Sequence, residues 1–274
     1  MIIDSHQHFW NYEPQKHGWI DEDMKTIRRD FLPDELEAIF REQGVAGSVA
    51  VEADQNEAET EFLIALSNKY SFIKGIVGYT DLRADNVEER LAYFNGYPVV
   101  KGFRHVLQSQ DPSFLLQPSF LRGIGLLKKY GFTYDILVFP KHLAAVKQLV
   151  AGFPDQLFVL DHLAKPYIKH GQIDEWAADI RELARYSNLY CKLSGMVTEA
   201  DYLHWKQPDF TAYLDVVVNA FGTNRLLYGS DWPVCTVAAS YGQVSAIIKD
   251  YFATFSPEEQ EAVFSGNATR FYHL

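Results

Sequence analysis

The chain opens Asp4-Ser-His6-Gln-His8 and far downstream carries Gly229-Ser-Asp231-Trp232-Pro233. Side chains two apart in an extended segment point to one side, so Asp4, His6 and His8 are expected on one face with the two imidazoles at its C-terminal end. Two histidines so spaced can chelate one ion. Alone the pair is weak evidence, because histidines near a terminus are commonly hydrogen-bonded or exposed without function. Distant partners change the balance. His162, following Asp161, and Asp231 complete a set of neutral imidazoles and one carboxylate that suits zinc with a position left for water, the arrangement of metal-assisted hydrolysis. Taken singly, His162 also reads as a satisfied loop histidine and Asp231 as a turn former.

These groups need elements to bring them together. Short segments rich in Val, Ile, Leu, Phe and Tyr recur at 45–53, 72–81, 99–104, 132–138, 157–160, 189–193 and 225–228, which with the opening segment makes eight predicted strands. Between them lie helical patterns, several closed by glycine, as at Gly44, Gly96 and Gly152. Ser256-Pro-Glu-Glu259 starts a last helix as a capping box with proline at its first position. No linker divides the chain. Strand and helix alternating over ~250 residues predicts an α/β fold, a single-domain (β/α)8 TIM barrel spanning 1–274, with its reactive groups at the strand C-termini. A doubly wound open sheet is the rival, but its Gly-x-Gly-x-x-Gly turn is missing after the first strand.

In such a barrel the polar residues at strand ends converge on one mouth: His6 and His8, Glu52, Asp81, Lys101 with Arg104 and His105, Asp135, Asp161 with His162, Lys192 with Ser194, and Asp231. The totals agree with a small-molecule enzyme. There are 274 residues, 47% of them hydrophobic, enough for a large core. The net charge of -11, with no basic run, argues against nucleic acid and anionic membranes as partners. Two cysteines supply neither a disulfide framework nor a Cys-rich zinc site, and no apolar stretch is long enough to span a bilayer, so a cytoplasmic setting is expected. The sequence assigns no oligomeric state.

The segments Asp4-Ser-His-Gln-His-Phe-Trp10, Val51-Glu-Ala53, Lys101-Gly-Phe-Arg-His105, Asp161-His-Leu-Ala-Lys-Pro166, Lys192-Leu-Ser-Gly195 and Gly229-Ser-Asp-Trp-Pro233 together resemble the amidohydrolase superfamily, end to end. The branch is amidohydrolase-2, which includes lactonases acting on sugar lactones such as those of L-fuconate and L-rhamnonate. The resemblance implies roles for His6 and His8 as the first-strand pair, His162 as the sixth-strand histidine and Asp231 as the last-strand aspartate. One position departs from the pattern. The fifth strand carries Asp135 where many metal-dependent members have a histidine, which argues against a two-metal site. The expectation is at most one divalent ion, zinc by its ligands, on His6, His8, His162 and Asp231, with metal-free catalysis as the other course. Lys101 is then assigned to substrate and not to a bridging role.

The implied reaction opens the ester ring of an aldonolactone by attack of an activated water. Asp231 is the expected base, with His6, His8 and His162 around it and the carbonyl polarised by an ion or by protein cations. Asp4 is expected to orient one of the histidines. Substrate contacts are expected from Arg104, His105, Lys101, Lys165, Glu52, Trp10 and Trp232. The first three could equally form a salt-bridged rim, Glu52 a helix cap, Lys165 a solvated side chain and the tryptophans core. The connection 9–32 is long, and its Trp10, Tyr12, His17 and Trp19 suggest an aromatic lid over a sugar ring. Two other readings are a metal-dependent decarboxylase of the same branch, which would be expected to show the fifth-strand histidine, and a non-catalytic binding protein on the same barrel.

Overall fold

The computed structural model describes residues 1–274. Eight parallel strands run in sequence order around a barrel: β1 (Ile2–Gln7), β2 (Val45–Val51), β3 (Ile73–Gly78), β4 (Val100–Val106), β5 (Thr133–Leu137), β6 (Phe158–Leu160), β7 (Leu189–Leu193) and β8 (Leu226–Tyr228). The helices between them are α1 (Pro33–Gln43), α2 (Glu57–Ser67), α3 (Val87–Asn95), α4 (Pro118–Leu127), α5 (Leu143–Gly152), α6 (Asp174–Leu183), α7 (Pro208–Phe221) and α8 (Tyr241–Phe252). The alternation is the one expected. Strand residues facing the helices, such as Ala50, Ile76, Phe103, Ile136 and Leu160, join the helical faces in one continuous apolar core. This layer supplies most of the hydrophobic drive.

The inner layer is different. Ile3, Val49, Val51, Val77, Val159 and Leu227 pack with Phe271 and Tyr272 in a separate apolar cluster. The last two come from the C-terminal segment, where α9 (Pro257–Glu261), a π-turn and α10 (Asn267–Tyr272) follow one another. The expected capping box is present: Ser256 Oγ accepts from Glu259 N at 3.2 Å, and Glu259 Oε2 accepts from Ser256 N at 2.9 Å. Towards the strand C-termini the apolar filling gives way to charge.

The barrel closes through the segments that carry the chemistry. Ser5 Oγ donates to the Tyr228 carbonyl at 2.7 Å, Asp231 N to the His6 carbonyl at 2.8 Å, and His8 N to the Trp232 carbonyl at 2.7 Å. β1 is irregular here. Asp4 lies opposite Ser48 but Gln7 opposite Ala50, so an extra residue is accommodated between them. Such a bulge shifts the side-chain alternation. Asp4 therefore does not share a face with His6 and His8, contrary to the expectation from spacing. Its Oδ1 accepts from the backbone N–H groups of His6 (3.1 Å) and Ser230 (2.9 Å), and its Oδ2 from Tyr241 at 3.1 Å. Asp4 clamps the first strand to the last and orients no imidazole.

Candidate active site

The mouth holds a cavity of about 550 Å³. His8, Arg104, His162, Lys165 and Asp231 line it, so five predicted residues meet there although they come from four separate stretches of chain. Asp231 Oδ1 lies 3.5 Å from His8 Nε2 and 3.8 Å from both His6 Nε2 and His162 Nε2. His6 is fully buried behind this group, its Nε2 3.1 Å from His8 Nε2. His8 Nδ1 is 2.8 Å from the Val51 carbonyl. A carbonyl can only accept, so this bond places a proton on Nδ1 and turns Nε2 towards Asp231. His162 Nδ1 is fixed 2.9 Å from Ser194 Oγ.

Local backbone strain presents these groups. His162, Leu163, Ala164 and Lys165 all have positive φ, from 50° to 57°, a left-handed turn without glycine. Each such residue costs roughly 1–2 kcal/mol, a burden typical of functional sites held by their surroundings. Gly195 makes room for the result, since a Cβ there would lie 2.5 Å from His162 Nδ1. Asp231 is also left-handed, at φ 60°.

Beneath the cavity a network of buried charges joins Arg104 and Glu52, expected at the substrate, to Asp135, Asp161 and Lys192, expected only as polar strand ends. Arg104 donates through Nε to Glu52 Oε1 (2.8 Å), through Nη2 to the Glu52 carbonyl (2.5 Å) and through Nη1 to Asp161 Oδ2 (3.1 Å). Lys192 Nζ bonds Asp135 Oδ2, lies 3.0 Å from Asp161 Oδ1 and 3.0 Å from His6 Nδ1. Tyr272 donates to Asp135 Oδ2 at 2.8 Å, tying the apolar plug below to the site. Asp135 thus stands at the fifth-strand position and holds a lysine.

Two cations face three carboxylates here, and the protonation states reflect it. Burial raises Glu52 to about 7 against the pull of Arg104, and burial raises Asp135 to about 6 against that of Lys192. Their free oxygens, Glu52 Oε2 and Asp135 Oδ1, meet no donor, so a proton on either leaves the existing bonds intact. For Asp161 burial is outweighed by Lys192, His6 and Arg104, which hold it well below the usual carboxylate range. Burial lowers His162 to about 4 and His6 well below its ordinary value, so both are neutral at pH 7. Asp231 is held below the ordinary range because the surrounding imidazoles outweigh its burial, and it is ionised at neutral pH.

Several predicted substrate residues lie elsewhere. Lys101 sits near the start of β4, at the end of the strand away from the cavity, where Nζ donates to the His273 carbonyl at 2.9 Å. His105, next to Arg104, points outward by the two-residue alternation and packs among Tyr79, Phe114, Phe120 and Tyr134. Burial lowers it to about 3. Trp10 is buried, donating Nε1 to the Arg29 carbonyl at 2.8 Å, and Trp232 is buried between Phe9 and Phe31. Neither is a platform for a sugar. Glu52 is sealed from the cavity and acts on Arg104. Of the expected lid, Trp19 alone among the four aromatics faces the cavity, its Nε1 donating to the Ala53 carbonyl at 3.3 Å. The cavity also takes Lys16, Gln55, Gln108, Glu199 and Tyr202 from loops, where no periodicity announces which side chain turns inward.

The fold and the site together define the class: the Amidohydrolase family model matches residues 3–274, and the chain belongs to that family. Over its full length it is 38% identical to an L-fucono-1,5-lactonase of Burkholderia multivorans, covering 96% of that protein. It is 33% identical to an L-fucono-1,5-lactonase of Burkholderia ambifaria, over 99% of this chain and 95% of the relative. A crystal structure of an amidohydrolase from Burkholderia multivorans with bound zinc superposes with a TM-score of 0.96 at 38% identity, covering 100% of this chain and 99% of that one. No helix is long and apolar enough to cross a membrane.

Proposed function

We propose that this chain hydrolyses a sugar-acid lactone, opening the ester ring to the aldonate. The observation that carries the reading is an ionised Asp231 lining the cavity, 3.5 to 3.8 Å from three imidazoles, with the buried guanidinium of Arg104 lining the same cavity. The lactonase names of full-length relatives support it. A water beside Asp231 gives its proton to the carboxylate while its oxygen attacks the lactone carbonyl. The carbonyl oxygen becomes an oxyanion, for which Arg104 is the fixed cation at the cavity surface; its other donors are already committed to Glu52 and Asp161 and keep it in place. As the ring oxygen leaves, Asp231 returns the proton to it. The ring-opened acid then ionises and releases one proton to solvent. Asp231 is a weak base at its lowered pKa, so positioning must offset that loss.

The donor set also fits one divalent ion. His6 Nε2, His8 Nε2 and an Asp231 oxygen lie within 4.8 Å of one another, and with His8 Nδ1 tied to the Val51 carbonyl, Nε2 is the nitrogen that would hold an ion. Imidazole with carboxylate suits zinc, with His162 as a further ligand. When bound, such an ion would supply Lewis-acid polarisation of the carbonyl.

The test is acid release, followed with a pH indicator, from a panel of L- and D-aldonolactones, on protein as purified and after chelation with metal content measured. Turnover above spontaneous hydrolysis is expected. Its absence on every lactone, with and without added zinc, overturns the reading.

A further inference from the structure

Two cavity residues stand apart from the chemistry at Asp231 and face the cavity as a pair. Lys165 ends the left-handed turn that begins at His162, and Glu199 ends the short turn Val197–Glu199 beyond β7. The ammonium and carboxylate meet between the two loops, each side chain only 13% exposed. Both are pinned. Thr198 Oγ1 donates to the Gly195 carbonyl at 2.8 Å and Glu199 N to the Met196 carbonyl at 3.2 Å. Lys165 N donates to the His162 carbonyl at 2.7 Å, and its Nζ lies 5.9 Å from the centre of the Phe139 ring.

A mostly buried ion pair adds little net stability, because taking both charges out of water offsets their attraction. Four consecutive left-handed residues are therefore a poor exchange for that bond alone, although they also place His162. What the pair does offer is a matched set of hydrogen-bonding positions. Glu199 presents a carboxylate oxygen beyond the one facing Lys165, and the ammonium keeps N–H groups beyond the one facing Glu199. Neighbouring hydroxyls on a ring match this: one donates to the carboxylate while the oxygen of the next accepts from the ammonium. An unsubstituted ring would leave these outward positions unmatched, and a ring carboxylate would be repelled by Glu199.

We infer that Lys165 and Glu199 form the subsite that selects lactones bearing vicinal hydroxyls. The inference rests on the lactone-hydrolase reading and deepens it. The test compares kcat/KM for L-galactono-1,4-lactone with that for γ-butyrolactone, in the unaltered protein and in Glu199→Ala and Lys165→Met. Each variant is expected to lose about 10- to 100-fold on the hydroxylated lactone, mainly through KM, the range for a lost charge-assisted hydrogen bond. Change on γ-butyrolactone is expected to stay below about threefold. An equal fall on both substrates makes the pair structural and overturns the inference, as does an unchanged rate on the hydroxylated one. If the unaltered protein hydrolyses no lactone of the panel, with or without added zinc, the functional reading has failed, and the subsite is then judged by calorimetric binding of L-galactonate against butyrate. Selective weakening of L-galactonate in the variants supports it, and equal binding refutes it. Lys165→Met keeps the test open should Glu199→Ala fail to fold.

Discussion

Replacing Asp231 with asparagine isolates the general base from the architecture. The residue sits at φ 60°, a conformation that asparagine tolerates well and most residues do not. Asparagine also keeps the size of the side chain and one carbonyl oxygen for the neighbours now at 3.5 and 3.8 Å. The barrel closure made by Asp231 N and the His6 carbonyl is a backbone bond and survives. The variant is expected to melt within a few degrees of the parent. What it loses is proton acceptance, a contribution of about 10²–10⁴ in rate. At about 1.36 kcal/mol per decade this is roughly 2.7–5.4 kcal/mol of barrier, and kcat/KM for the best lactone of the panel is expected to fall by that factor. The assay is acid release at pH 8 on folded protein, with binding of the aldonate product measured in parallel. Retention of more than about a third of the parent kcat/KM would falsify the assignment of Asp231 as base. Because the carboxyl is held below the ordinary range, any acid limb belonging to it lies below pH ~4.

Two further outcomes follow from side chains outside the chemistry. Burial raises Glu59 from its ordinary 4.5 to about 8. In the unfolded chain it ionises near 4.5, so its contribution to stability is full below that pH and is lost as pH rises through about 8. Glu59→Gln keeps the acceptor for Ala53 N and removes the charge; it is expected to leave the melting temperature nearly unchanged at pH 4.5 and raise it by several degrees at pH 9, and the reverse order would refute the burial argument. Lys101→Met removes only the bond to the His273 carbonyl at the far end of β4 from the cavity, so kcat/KM is expected to stay within about twofold, with a stability loss on the order of 1 kcal/mol. A tenfold drop in turnover would return Lys101 to the site.

What the sequence by itself determined was the alternation of eight apolar segments with helical patterns, and the residue types at the segment ends. Both are local signals. A β/α alternation closes into a barrel because each strand buries one face under its own helix, and closure brings His6, His8, His162 and Asp231 together whatever their separation in sequence. Tertiary structure decided which neighbour of a pair turns inward. Arg104 and His105 are adjacent and both polar, and only the phase of β4 sends one to the cavity and the other among aromatic rings. The bulge in β1 separated Asp4 from the histidines, because one accommodated residue inverts an alternation of period two. Trp10 and Trp232 went to the core because each packs on Phe31, which comes from the far end of the 9–32 connection. The charge network of Glu52, Arg104, Asp161, Lys192 and Asp135 was present in the sequence as polar strand ends, with Glu52 and Arg104 expected to contact substrate and not each other. Its ion pairs and protonation states arise from burial and from contacts across strands, and composition and spacing encode neither.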